Sequence, residues 1–182
     1  MKKVISILLV AFAMTAMVAC GDKNEGTDNG GGNNGGGNGG GNSATYVDLG
    51  LPSGTLWKNG VEDGFYTYAE AMQKFGDNMP TKEQWEELIA NCTFRWLPIE
   101  GGFDMKVTGP NENVIVIPLP GEWMTDQASD VGDEGNYWTK TMTDYSDEHA
   151  WIAHVVAGNT PGIRECTTLS NSKCSVCLVQ NQ

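Results

Sequence analysis

The order of apolar patterns along this chain predicts an α+β domain. An alternating strand pair opens the folded part, two well-marked helix patterns follow it directly, and everything after them reads as strands. That order implies a twisted antiparallel sheet with two short helices packed on one side of it.

Each element has its own signal. Tyr46-Val47-Asp48-Leu49 alternates as a half-buried strand does, Pro52-Ser53-Gly54 is a turn, and Thr55-Leu56-Trp57 returns as a second strand. Thr67 with Glu70 and Thr81 with Gln84 are capping boxes, each with an acceptor for an orphan N–H at a helix start. Tyr68, Met72 and Phe75 fall at i, i+4, i+7 and predict a core stripe that Gly76 terminates. Trp85, Leu88, Ile89 and Cys92 predict the core stripe of the second helix. After Asn91 the pattern turns to strands. Phe103, Met105 and Val107 alternate with polar residues, Gly109 to Asn113 is a turn, and Val114 to Ile117 reads as a run buried on both faces. Gly121 to Asn136 reads as a long polar loop. Tyr137 to Met142, Trp151 to Ala157, Ile163 to Leu169 and Lys173 to Val179 read as four closing strands.

The N-terminus carries an address. Met1-Lys2-Lys3 is a short basic start, and Val4 to Val18 is an apolar run too short to span a bilayer, which takes ~20 residues. Residues 1–19 are expected to be a signal peptide. Met17-Val18-Ala19-Cys20 resembles the lipobox of bacterial lipoproteins, in which the cysteine is acylated. Cys20 is therefore the expected lipidation site, and several acyl chains hold a protein firmly. Residues 20–43 are the expected tether, almost all Gly and Asn beyond Gly26, with too little apolar surface to pack. Gly21 to Glu25 reads either as a short acidic export tag of surface lipoproteins or as solvated linker. The expected location is the outer membrane, lipid-anchored and facing the cell exterior. Residues 44–182 form the head.

Charge excludes some partners. The chain has 11 Lys+Arg against 23 Asp+Glu, a net charge of −12, so it repels phosphate backbones and anionic lipid. Nucleic acid is not an expected partner. A 40% apolar content with six Trp sets the chain apart from disordered sequences.

Several motifs together resemble a known family. Tyr46 to Trp57 (YVDLGLPSGTLW), Pro80 to Ile89 (PTKEQWEELI), Gly102 to Asn111 (GFDMKVTGPN) and Tyr137 to Thr141 (YWTKT) resemble the Fibrobacter succinogenes major paralogous domain of Bacteroidota lipoproteins. The resemblance implies a fold similar to C-type lectin-like domains and to the formylglycine-generating group. Two departures stand out: a short segment after Trp57, and Cys177 where the family's closing strand usually has Arg.

The candidate chemistry is sparse. Cys174 and Cys177 spell Cys-x-x-Cys, but in a strand such residues point to opposite faces about 10 Å apart, which disfavours a shared metal or a mutual disulfide. Export permits other disulfides among Cys92, Cys166, Cys174 and Cys177. Cys166 and Cys174 come opposite each other if Leu169 to Asn171 form a hairpin tip, and four buried free thiols are the other reading. His154 reads as a strand residue and His149 as a turn residue, neither at a site. No metal or cofactor motif is present. The acidic residues of Gly121–Asn136 lack EF-hand spacing. The expected function is a lectin-like binding or adhesion module for a glycan or protein ligand, with loops Gly121–Asn136 and Thr143–Ala150 as its surface. Trp123, Asp126, Asp130, Asp133, Tyr145 and Asp147 are the ligand-binding candidates. An enzyme akin to the formylglycine-generating group, which needs a reactive thiol, and a structural subunit of a surface assembly are the alternatives.

Overall fold

The computed structural model describes residues 45–166 and 168–182. The signal peptide, Cys20 and the tether lie outside the described residues. Among the described residues no helix is long and apolar enough to cross a membrane.

Strands β1 (Tyr46–Asp48) and β2 (Leu56–Lys58) pair antiparallel around the expected turn, which Gly54 closes by donating to Leu51 O at 2.9 Å. Helix α1 (Tyr68–Phe75) and helix α2 (Lys82–Asn91) follow, and both capping boxes form as the sequence predicts. Strands β3 (Thr93–Ile99), β4 (Gly102–Thr108) and β5 (Val114–Pro118) make an antiparallel meander. A small hairpin, β6 (Glu122–Met124) with β7 (Gln127–Ser129), precedes the two longest strands, β8 (Glu134–Thr143) and β9 (Ser146–Val156). Strand β10 (Gly162–Cys166) pairs with β9, and the short β11 (Val179–Gln180) returns to β2.

The mixed α+β class is as expected, with every strand pair of the sheets antiparallel. The architecture is not one sheet, however. Among the described residues there are four small ones: β1-β2-β11, β10-β9-β8, β3-β4-β5 and β6-β7. Short strands that turn corners cannot stay in one ladder, and isolated bridges stitch the pieces together, among them Tyr66 to Cys174 and Tyr137 to Ser175.

The β8-β9-β10 sheet separates two cores. Residues alternate across it, as the pleat requires. Tyr137, Ala153 and Val155 face a larger core with Trp57, Trp85, Leu88, Met105, Ile115 and Ile117. Trp138, Ala150 and Ile152 face a smaller one with Ala71 and Met79. Burial of whole Trp, Leu and Ile side chains contributes about 1.5–3 kcal/mol each, so these clusters dominate the stability of the head. In the larger core Trp57 meets Trp85 edge to face with centroids 4.9 Å apart.

Residues 173–179 correct one expectation and satisfy another. They do not form a continuous ladder strand, because the segment crosses between β8 and residues 58–66 and bonds alternately to each. Cys174 exchanges backbone hydrogen bonds with Tyr66, while Ser175 N donates to Asn136 O at 2.9 Å. The chain is nevertheless extended. Cys174, Val176 and Leu178 enter the smaller core, and Cys177 and Val179 the larger. The two cysteines thus face apart, as their spacing predicts.

Other expectations fail for identifiable reasons. Met72 is exposed, because the eight-residue α1 seats the small Ala71 instead, with Tyr68 edge-on to Trp138 at 5.4 Å. Phe103 is exposed too. Val114 and Val116 are only half-buried, so β5 buries one face rather than two. The polar loop Gly121–Asn136 contains the β6–β7 hairpin and the start of β8. Thr143–Ala150 is no loop either: β8 and β9 run to a two-residue turn at Asp144-Tyr145, which places His149 within β9.

Two glycines fix how the pieces meet. A Cβ on Gly109 would lie 2.0 Å from Leu49 O, so only glycine lets the β4–β5 turn dock on the segment after β1. Gly102, at φ +156°, sits against Gly132, and Phe103 N donates to Gly132 O at 2.7 Å. That contact pins the loop leading into β8.

Candidate functional site

On the smaller-core face of the β8-β9-β10 sheet, a cleft of about 260 Å³ opens at the rim. Its size lies just below the range of pockets for drug-sized ligands. Asn136, Ile152, Arg164 and Cys166 supply its sheet wall, Glu122 and Trp123 of β6 one side, and Ser172 to Cys174 the other.

Asn136 organises the polar part. It stands opposite His154 in the β8–β9 register and is only 3% exposed. Its Oδ1 accepts from Arg164 Nη2 at 2.9 Å and lies 2.9 Å from His154 Nδ1. Guanidinium nitrogen can only donate, so the shared atom is the amide oxygen, and His154 in turn carries its hydrogen on Nδ1. Burial, and next the Arg164 charge, lower the His154 pKa below the usual imidazole value, which favours this neutral form at pH 7. Arg164 Nη2 also lies 3.4 Å from Glu122 Oε1 in a half-exposed ion pair of small stabilising value.

Trp123 forms the opposite wall. Its ring tilts against Phe65 with centroids 5.1 Å apart, and Lys173 Nζ stands 5.0 Å from its ring centroid. Lys173 has no carboxylate within ion-pairing distance among the described residues. Glu165 borders the cleft through its position on β10, but neighbours along a strand point to opposite faces. Its side chain is engaged elsewhere, accepting from Tyr145 Oη and lying 2.5 Å from His149 Nδ1. The Tyr145 hydrogen bond, followed by that from His149, holds the Glu165 carboxyl below its ordinary pKa.

The sequence candidates divide. Trp123 lines the cleft. Asp126 is at the tip of the β6–β7 hairpin, and Asp130 and Asp133 are exposed in the loop before β8, their backbone carbonyls occupied by Asp133 N, Glu134 N and Ala157 N. Tyr145 and Asp147 lie at the β8–β9 turn, where Tyr145 is 69% exposed. The candidates thus do not meet at one place: Trp123 lines the cleft between the sheet face, β6 and the segment after β10, while Tyr145 and Asp147 border a separate, more open cavity at the β8–β9 turn. Among the described residues no three His, Cys, Asp or Glu side chains gather as a metal site.

Cys166 and Cys174 do come to one cavity, yet both are free thiols, as are Cys92 and Cys177. The hairpin expected to oppose them does not form, because β10 pairs with β9 and Cys174 bridges to Tyr66. Burial pushes the Cys92 thiol up to about 11 and also raises those of Cys174 and Cys177 well above the ordinary thiol value, the reverse of what a thiolate nucleophile requires.

Asn136, Arg164 and Lys173 carry most of the cleft's chemistry, and none stood out as a sequence motif. The available signal was an amide directly before the Tyr137-Trp138 pair and a guanidinium between Ile163 and Cys166, polar groups embedded in apolar strands. No protein-family model, curated protein or solved structure matches the chain.

Proposed function

We propose that this chain is a lipid-anchored cell-envelope protein whose head is a lectin-like binding module, with the Trp123–Arg164–Lys173 cleft as its ligand seat. One observation carries the reading. An aromatic ring, a cation held by a buried amide and a second cation seated over that ring converge on one cavity of a rigid sheet. Such a combination offers an apolar face and directed donors, the features of a small-ligand site. The Cys174 and Cys177 thiols, which burial raises in pKa, give no support to the enzyme alternative. The lipobox-like end at Cys20 and the Gly/Asn tether support display of the head away from a membrane surface.

The test is retention of the full chain on an immobilised panel of neutral and acidic oligosaccharides, beside the Trp123→Ala variant. The reading expects at least one oligosaccharide to hold the wild type and to bind the variant roughly tenfold more weakly or worse. No retention anywhere on the panel, or retention indifferent to Trp123→Ala, would contradict it.

A further inference from the structure

The cleft's charges can be counted. Arg164 and Lys173 are positive, Glu122 is negative, and the Glu165 carboxylate turns to Tyr145 and His149 on the other face. The groups that face into the cleft are thus two cations and one anion, with the Glu70 carboxylate acting on Lys173 from outside the cavity, in a chain whose net charge is −12. Cations in so acidic a chain lower their energy by taking acidic partners, as Lys58 does with Glu62 and Lys82 with Glu86. Lys173 has no such ion pair among the described residues and, like Lys74 over Tyr66, lies over an aromatic ring, here beside an open cavity.

Arg164 is pre-set in the same way. Among the described residues its hydrogen bonds use Nη2 alone, on Asn136 and Glu122. The remaining guanidinium N–H groups are unspent, and the fork geometry of arginine fits a carboxylate. The buried Asn136 holds the guanidinium in place, so little side-chain entropy remains to be lost on binding. Around this anchor stand groups suited to hydroxyls and a ring: Ser172 at the rim, and Trp123 as an aromatic platform.

Resting on the binding-module reading, we infer that the cleft seats a carboxylate-bearing sugar residue, a hexuronic-acid unit of an acidic polysaccharide. Arg164 holds the carboxylate, Lys173 moves off the Trp123 ring to neutralise it, and the sugar ring takes the ammonium's place on the indole. The single net charge matches a monoanion better than a doubly charged phosphate ester. The cavity volume suits one sugar residue, with the rest of the polymer running outside.

The experiment is calorimetric titration of the full chain with tetragalacturonic acid, its methyl ester, neutral cellotetraose and oligoglutamate. Loss of a charge-assisted pair predicts roughly tenfold to a hundredfold weaker binding of the ester, and the same loss in Arg164→Gln. Lys173→Gln, at a half-exposed position whose change leaves the Asn136 network intact, is expected to weaken the acid several-fold more than the ester. The ester comparison needs no variant, so a misfolded Arg164→Gln does not spoil the test. Equal binding of acid and ester, or preference for cellotetraose, would overturn the carboxylate inference while leaving the binding module standing. Oligoglutamate binding as tight as the uronate would overturn the sugar. Failure of every sugar, neutral or acidic, would overturn the inference together with the reading beneath it.

Discussion

Arg164 Nη2 donates to the buried Asn136 Oδ1 at 2.9 Å, an amide oxygen that His154 shares on its other side. This contact turns a surface arginine into a fixed one. It also links three strands, since Asn136 belongs to β8, His154 to β9 and Arg164 to β10.

Asn136→Ala removes the acceptor that both donors use. The expected cost is about 1–3 kcal/mol, the range for stranding a buried hydrogen-bonding group. Urea denaturation measures it as a lower midpoint with an unchanged slope. Ligand binding is expected to fall as well, because Arg164 loses its tether.

His154 makes the head pH-sensitive in a defined window. Burial and then Arg164 lower its pKa in the folded state below the ordinary imidazole value of 6.5. A group so depressed takes up protons more readily in the unfolded chain. Its contribution to stability is therefore complete above about 6.5 and is lost as pH falls through the lower, folded-state value. Thermal melts of the wild type are expected to decline on acidification below that pH, and His154→Gln to flatten the decline within the same window. A His154→Gln profile parallel to the wild type would contradict this.

Thiol labelling separates the binding reading from the enzyme alternative. Cys174 and Cys177 are buried, and their thiols are strongly disfavoured as thiolates. Site-resolved alkylation at pH 8 is expected to leave both unmodified until denaturant is added, and to modify Cys92 slowly. Rapid labelling of Cys174 in the folded protein would favour thiol chemistry in the cleft.

Much of the fold is legible in the sequence because its signals are local. The capping boxes at Thr67 and Thr81 each need residues only three positions apart, and both form. The β6–β7 hairpin hides for a physical reason. Its turn residues, Thr125 and Asp126, both adopt positive φ (44° and 67°) without the glycine that ordinarily announces such a turn. Strand β3 hides behind its polar alternation and Pro98, which an edge strand tolerates. The cleft is less legible still. Asn136 and Arg164 meet through strand register while Trp123 reaches them from a separate hairpin, and both arrangements depend on tertiary contacts that no short window contains.

Anchoring is tested separately from recognition. Cys20→Ser is expected to release the protein from the membrane fraction while changing the head's melting temperature by no more than about 2 °C. Retention of the variant in membranes would contradict the proposed lipid anchor, and a large fall in melting temperature would show that residues before the head contribute to its packing.

The most direct measurement follows the side chains themselves. Heteronuclear NMR of the isotope-labelled chain, titrated with tetragalacturonic acid, resolves the Trp123 indole, the Asn136 amide and the Arg164 guanidinium. The largest shifts are expected on these three groups and on residues 172–174. Shifts centred on Tyr145 and Asp147 at the β8–β9 turn, with Trp123 and Asn136 unmoved, would contradict the cleft as the ligand seat.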